Sequence, residues 1–242
     1  DATAIRAGDE VYNKGKSLYD KGDYVKAGLE FRNAIQIDPK FADAYYMTGM
    51  IMFRQGNLNR AFGSFSKTVE LNPHHLNAQI ELGKLFLFGR TPDKALEKAE
   101  LVLKADPNNE DASLLTGAVY INRKENEKAR QYLDGLIRKG TRRADAYLLL
   151  SQAYMNSSDK NNVEKTLLAG IEANPKSMQL HMTLAQLFMT SQRTEDAISI
   201  VQKVIEFDPK NNSHNLTLAG LYWGSGKEQK AAEIIQALIS SD

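Results

Sequence analysis

The sequence predicts an all-α solenoid built from seven helical hairpins. Three observations support this prediction: prolines that stop helices recur at a fixed period, small residues recur at two fixed distances before them, and large apolar residues recur at a third. Because such self-similarity is the signature of repeat architectures, the repeat, and not the ordinary domain, is the unit by which this chain is divided.

Five of the six prolines lie at multiples of 34 residues from one another, and Thr141 occupies the vacant slot. Each of the five follows Asp or Asn, a pair that ends a helix because proline disfavours helical backbone at the preceding residue. They are Pro39, Pro73, Pro107, Pro175 and Pro209. These stops predict a single array over residues 1–242. Its repeats are residues 8–41, 42–75, 76–109, 110–143, 144–177, 178–211 and 212–242, the last one shortened.

Small residues mark the point where the two helices of each hairpin cross. Counting 24 residues back from each stop gives Gly15, Gly49, Gly83, Gly117, Ser151, Ala185 and Ala219. Counting 12 back gives Ala27, Ala61, Ala95, Ala129, Val163, Ala197 and Ala231. Large apolar residues stand 21 before the stop, at Leu18, Met52, Phe86, Tyr120, Tyr154, Phe188 and Tyr222. Close helix approach and apolar filling around it are therefore expected in every repeat.

These columns resemble the tetratricopeptide repeat (TPR) family over nearly the whole chain. The resemblance implies a right-handed superhelical solenoid, an alpha-alpha superhelix, whose first helices line a concave surface and whose second helices face outward. Departures from the pattern occur at Thr141, Ser151 and Val163. The polar tract at residues 156–162 is expected to separate the two helices of the fifth repeat.

Composition argues against catalysis and against nucleic acid. The 31 basic and 30 acidic residues nearly balance, so no basic stripe is available to follow a phosphate backbone. The absence of cysteine excludes disulfides and thiolate sites. The four histidines, His74, His75, His181 and His214, lack the spacing of a helical metal site. We therefore predict no catalytic, cofactor-binding or metal site, and no enzyme activity.

The two ends of the chain carry further expectations. No apolar stretch approaches the roughly 18 residues that a spanning helix needs, so we expect no membrane span. The last helix carries Ile234, Ile235, Leu238 and Ile239, whereas a solenoid needs a polar terminal cap. We therefore expect the chain to be part of a longer one that continues beyond Asp242, and to self-associate through this helix when it is uncovered.

In TPR proteins the residues 27, 23 and 20 before each stop face the concave groove. Here these positions are strongly apolar, and aromatic side chains beside an arginine are typical of binding hot spots. The resemblance therefore implies a peptide-binding surface on the first three repeats, formed by Tyr12, Lys16, Tyr46, Met50, Phe53, Arg54, Lys84 and Phe88. The alternative surface is the methionine-rich one at Met155, Met182 and Met189, whose pliable side chains suit less selective binding.

The expected function is that of a scaffold that holds a protein or peptide partner in this groove. The segment from Leu18 to Pro39 resembles the opening repeats of bacterial TPR lipoproteins associated with the exosortase (PEP-CTERM) system and exopolysaccharide export. This resemblance implies a protein of the bacterial periplasm or envelope, anchored by a lipid upstream of residue 1, that serves secretion or polysaccharide assembly. The alternatives are a cytoplasmic location, an RNA-binding helical array, and a regulatory fragment of a larger enzyme.

Overall fold

The computed structural model describes residues 2–241, with side chains described from residue 6 onward. Asp1 and Asp242, where the predicted array begins and ends, lie outside the described residues. All regular secondary structure in the described range is α-helical, and within each of the two compact units described below successive helices pack as short hairpins. The predicted all-α repeat fold is therefore confirmed.

The described chain forms two compact units, and the first of them ends at Arg123. Within this unit α1 pairs with α2, α3 with α4, and α5 with α6, while α7 packs on α6. The helices are α1 Ala2–Asp20, α2 Tyr24–Ile37, α3 Ala42–Arg54, α4 Leu58–Leu71, α5 Leu76–Phe88, α6 Pro92–Ala105 and α7 Glu110–Asn122.

The second unit begins at Lys124 and contains the remaining helices. Here α9 pairs with α10, α11 with α12, and α13 with α14, while α8 packs on α9. The helices are α8 Asn126–Arg138, α9 Ala144–Asn156, α10 Lys160–Ala173, α11 Met178–Thr190, α12 Thr194–Phe207, α13 Asn212–Gly224 and α14 Glu228–Ser240. The unit boundary falls inside the fourth predicted repeat, between its two helices.

The small residues identified in the sequence are the points of closest helix approach. All seven residues of the column that begins with Ala27 are fully buried. At Gly15 a β-carbon would lie 2.8 Å from the ring of Phe31, and at Gly49 it would lie 2.6 Å from the ring of Phe65. In both hairpins a buried phenylalanine of the second helix therefore fills the space that the glycine of the first helix leaves free.

The Asp-Pro and Asn-Pro pairs stop the second helices by two physical means. The backbone of Asp38 is extended, with φ of −129° and ψ of 96°, as expected before proline. Its side-chain oxygen accepts a hydrogen bond of 2.9 Å from the backbone N–H of Lys40, and Asn72 accepts one of 3.1 Å from His74 in the same way. These side chains close a turn that starts the next hairpin.

The repeat that lacks the proline ends its second helix with a glycine. Helix α8 ends at Arg138, and Gly140 adopts the left-handed conformation with φ of 106°. The backbone N–H of Thr141 then donates to the carbonyl of Leu136 at 3.3 Å, which satisfies one of the free carbonyls at the helix end. Gly140 thus ends this helix in place of a proline, one residue before the position at which the other repeats carry proline.

The polar tract of the fifth repeat is mostly helical, which corrects the expectation that it separates the two helices. Helix α9 continues to Asn156 and α10 begins at Lys160, so only residues 157–159 lie between them. Asp159 caps α10 by accepting a 3.2 Å hydrogen bond from the backbone N–H of Asn162. A polar sequence at this place supplies a helix cap, and the turn is as short as in the other hairpins.

Candidate peptide-binding surface

Tyr12 and Tyr46, two of the aromatic residues predicted for the groove, are half-buried. The ring of Tyr12 lies 5.6 Å from that of Phe31, and the ring of Tyr46 lies 5.8 Å from that of Phe65. These distances fall within the range of favourable aromatic pairs. Each pair joins the two helices of one hairpin, so both tyrosines contribute to the packing within their own hairpins.

Burial also raises the pKa values of these two tyrosine hydroxyls. Desolvation, with a smaller contribution from the Asp43 carboxylate, raises the pKa of Tyr12 from 10.0 to about 12. Desolvation raises the pKa of Tyr46 from 10.0 to about 12 as well, and the Glu81 carboxylate adds to this effect. At neutral pH neither side chain offers a charge to a partner.

Arg54 is held in place by two tyrosines of the preceding hairpin. Its Nε donates a 2.8 Å hydrogen bond to the hydroxyl of Tyr19. The guanidinium carbon lies 5.3 Å from the ring centre of Tyr19 and 5.0 Å from that of Tyr24, while the two rings pack edge to face at 5.1 Å. Cation–π contacts and one hydrogen bond thus orient an exposed cation at the carboxyl end of α3.

Arg54 forms one side of an open pocket of about 780 Å³. Val25 and Phe53 supply exposed apolar surface, with 75% and 39% of their areas accessible. The pocket is lined by Tyr24 and Val25 from the start of α2, Met50, Phe53 and Arg54 from the end of α3, and Gln55. The structure therefore places three of the predicted site residues, Met50, Phe53 and Arg54, around one cavity.

The remaining predicted residues do not line this pocket. Lys16 is exposed on α1, and the Lys84 ammonium forms an ion pair of 2.9 Å with Glu81 on the same helix. Phe88 is 75% exposed at the end of α5, one repeat after Arg54 in the sequence register. These three residues belong to the same unit, but they lie on α1 and α5, away from the residues that line the pocket.

Tyr24, Val25 and Gln55 were not predicted, because the groove positions of the repeat lie on the first helices and these three residues do not. A signal for Val25 is nevertheless present in the sequence. The corresponding residues of the other repeats are all polar: Asn59, Asp93, Glu127, Asn161, Glu195 and Gln229. The valine thus adds to the exposed apolar surface that Phe53 presents at the pocket.

The second unit carries a separate row of exposed apolar side chains. Met155, Met189 and Trp223 occupy the same repeat position on α9, α11 and α13, and their exposed fractions are 38%, 41% and 60%. Met182, the third residue of the alternative methionine site, is half-buried on α11. The alternative surface thus has accessible side chains as well.

Among the described residues, no group of three or more histidine, aspartate or glutamate side chains is arranged to hold a metal ion. Two histidine–carboxylate pairs are present, His75 with Asp43 at 3.0 Å and His214 with Asp208 at 2.8 Å. Nor is any described helix both long and apolar enough to span a bilayer.

Short antiparallel α-hairpins with exposed apolar surface define an all-α helical-repeat protein. One family model, for the TPR repeat, matches residues 15–56, and three for the tetratricopeptide repeat match residues 43–75, 90–153 and both 144–177 and 179–211. The chain belongs to the tetratricopeptide repeat family. Proteins of this family are generally scaffolds that bind peptides or other proteins, and they are typically not enzymes.

Solved structures of other proteins share the fold at low sequence identity. A TPR protein of Parabacteroides merdae is 19% identical with a TM-score of 0.69, and the match covers 97% of this chain and 93% of that one. A thermophilic TPR protein of Thermus thermophilus is 18% identical with a TM-score of 0.64, covering 75% and 99%. The PilF protein of Pseudomonas aeruginosa is 16% identical with a TM-score of 0.65, covering 94% and 97%. No curated protein matches the chain significantly.

Proposed function

We propose that this protein is an interaction scaffold that holds a peptide segment of a partner protein on its first unit, at the pocket between the start of α2 and the end of α3. The observation that carries the proposal is the pocket itself, where the exposed side chains of Val25 and Phe53 meet an oriented Arg54. Aromatic residues and arginine are the types most enriched at binding hot spots. A cavity of about 780 Å³ also lies within the roughly 300–1,000 Å³ range of ligand pockets.

The distribution of burial supports a binding role for Phe53. Phe31 and Phe65 are fully buried in the hairpin cores, whereas Phe53 is 39% exposed beside the pocket. Truncating a buried phenylalanine typically costs about 3–5 kcal/mol of stability. We expect Phe53→Ala to cost clearly less than Phe65→Ala, because less of its ring is removed from water by folding.

The test compares two phenylalanines of nearly equal exposure in the same unit. Phe53 is 39% exposed at the pocket, and Phe62 is 38% exposed on α4 outside it. The chain is used to capture partners from native extract, and the affinity of a captured protein is then measured for both alanine variants. Phe53→Ala should lower that affinity about 30-fold, the equivalent of about 2 kcal/mol, while Phe62→Ala should leave it nearly unchanged.

Three outcomes would speak against this proposal. Equal loss with both variants would mean that the pocket is not the binding site. Loss of binding only when Met155 and Met189 are truncated would place the partner on the second unit. Capture that disappears after nuclease treatment would favour the RNA-binding alternative.

We further propose that the protein works in the bacterial cell envelope, in the periplasm, where it assists secretion or exopolysaccharide assembly. The support is the resemblance of the segment from Leu18 to Pro39 to exosortase-associated lipoproteins, and the lack of cysteine is compatible with an oxidising compartment. The complete gene should encode an apolar leader and a lipidated cysteine upstream of Asp1. A reading frame that lacks both would point to the cytoplasm.

A further inference from the structure

We propose that the pocket at Arg54 recognises a partner segment in which an aspartate or glutamate side chain stands next to a bulky apolar residue. The inference rests on the proposed peptide-binding function and specifies the chemistry of the ligand. The apolar side chain would lie against Val25, Met50 and Phe53, and the carboxylate would bind the guanidinium of Arg54.

The first argument is the free hydrogen-bonding capacity of Arg54. In the part of the chain that the structure describes, no carboxylate forms an ion pair with this residue, although Arg193 pairs with Glu164 at 2.6 Å and Arg143 with Asp145 at 3.2 Å. The hydrogen bond to Tyr19 uses Nε, so the two Nη atoms retain their donors. A guanidinium that offers several parallel donors matches the geometry of a carboxylate.

The second argument is preorganisation. The two tyrosine rings at 5.3 and 5.0 Å and the hydrogen bond to Tyr19 restrict the long side chain of Arg54 before any ligand arrives. A free arginine on a surface loses much rotamer entropy when it binds, whereas a restrained one loses less. The contacts to the rings therefore favour binding of an anion at this position.

The third argument is charge complementarity. Among the described residues that line the pocket, Arg54 is the only charged one, and the others are Tyr24, Val25, Met50, Phe53 and Gln55. A basic ligand would be repelled by Arg54, and a wholly apolar ligand would leave its donors without a partner. One carboxylate beside one apolar side chain satisfies both parts of the surface.

The structure favours a side-chain carboxylate within a continuing peptide over a chain terminus. The pocket is open to solvent and offers one cation, whereas capture of a terminal carboxylate commonly relies on a nest of backbone N–H donors. The backbone N–H of Lys26, near the start of α2, already donates a 3.1 Å hydrogen bond to the Asp23 side chain. A chain that passes across the pocket is therefore the expected ligand.

The experiment selects random dodecapeptides, displayed without a free carboxyl terminus, on the complete chain. A fluorescein-labelled selected peptide is then compared with its variant in which the acidic residue is replaced by the matching amide. On the wild-type chain the amide variant should bind about 10-fold more weakly, as expected for loss of a charged hydrogen bond. On Arg54→Gln both peptides should bind equally weakly, and Arg54→Lys should restore only part of the difference because lysine lacks the planar fork.

Val25→Ser provides a second variant that leaves the fold intact, since Val25 is 75% exposed. It should weaken both peptides by the same factor and preserve the preference for the acid. Selected peptides without an acidic residue, or an acid preference that persists on Arg54→Gln, would overturn the inference and leave the scaffold proposal standing. Enrichment only from a matching library with free carboxyl termini would overturn it in favour of terminal capture. Failure of both libraries to yield any binder would count against the peptide-binding function itself.

Discussion

Gly49 lies directly opposite the ring of Phe65, which leaves no room for a side chain at this position. A β-carbon at this position would lie 2.6 and 2.7 Å from two ring carbons of Phe65, and that ring is fully buried. We expect Gly49→Ala to destabilise the protein by about 1–3 kcal/mol through overpacking. Urea unfolding of the variant measures this cost.

Gly63 provides the matched control on the following helix, because nothing lies within 4 Å of the β-carbon it would acquire. Gly63→Ala should leave stability unchanged or raise it by up to about 1 kcal/mol, since alanine is the better helix former. A Gly49→Ala variant as stable as Gly63→Ala would contradict the close approach of α3 and α4 at this point.

The raised pKa values of Tyr12 and Tyr46 predict that the protein loses stability in alkaline solution. Both have pKa values raised in the folded state from 10.0 to about 12, so folding favours their neutral forms. Their contribution to stability is complete below pH 10 and is lost as the pH rises from 10 to about 12. The urea midpoint of the wild-type chain should therefore fall more steeply over this range than that of the Tyr12→Phe, Tyr46→Phe double variant. Equal slopes would show that the two hydroxyls do not contribute.

At the scale of the element, the turn within each hairpin depends on one left-handed residue. This residue recurs every 34 positions with φ between 58° and 82°, at Gly22, Gly56, Arg90, Lys124, Ser158, Gln192 and Gly226. Glycine adopts this conformation freely, whereas other residues pay a steric cost on the order of 1 kcal/mol. The turn therefore forms in every repeat, but in the four repeats without glycine it carries this steric cost.

We expect Gln192→Gly to leave the midpoint of thermal unfolding unchanged or to raise it. Glycine relieves the steric cost of the left-handed turn, and this gain opposes the greater conformational entropy that glycine gives to the unfolded chain. The reverse change, Gly56→Ala, should lower it by the equivalent of about 1 kcal/mol or more, because the turn cannot relax to negative φ without moving α4. Calorimetry of the two variants tests the turn directly. A clear destabilisation by Gln192→Gly would be contrary to this account.

At the scale of the whole molecule, the two ends differ in polarity. The outer face of α1 carries Glu10, Lys14 and Ser17, which are exposed, whereas the corresponding residues of α5, namely Ala78, Leu82 and Leu85, are buried against the preceding hairpin. On α14, Ile235 and Ile239 are 41% and 69% exposed. The residues equivalent to Ile235 in the earlier repeats are all fully buried: Phe31, Phe65, Ala99, Leu133, Leu167 and Val201.

This asymmetry predicts self-association of the 242-residue chain through α14. Contact between α14 and the α1 face of another copy would bury the exposed Glu10 and the Lys14–Glu30 ion pair of 2.9 Å, which costs desolvation energy. Two α14 helices should therefore pack against each other about a twofold axis instead. Sedimentation velocity should show a dimer that grows with concentration. Ile235→Glu with Ile239→Glu should abolish it, while Leu168→Glu, at a residue that is 47% exposed on α10, should not. A wild-type chain that stays monomeric at its highest soluble concentration would contradict this prediction.

The sequence by itself determined the fold class and the positions of the hairpins. The period of the prolines and of the two small columns specifies them, because helix stops and close helix approach depend on local backbone restriction and on side-chain size. The stop at Gly140 and the short turn at residues 157–159 were missed, since several local solutions can end a helix or begin one.

Only the tertiary structure decided which of the apolar groove residues are accessible. Tyr12 and Phe53 both occupy predicted groove positions, but Tyr12 packs against Phe31 whereas Phe53 borders an open pocket. The same holds for Tyr24 and Val25, which belong to a different helix from Arg54 and meet it only through the packing of one hairpin on the next. Periodicity reports which face of its own helix a residue occupies, whereas exposure depends on the size of the side chains that neighbouring helices bring to that face.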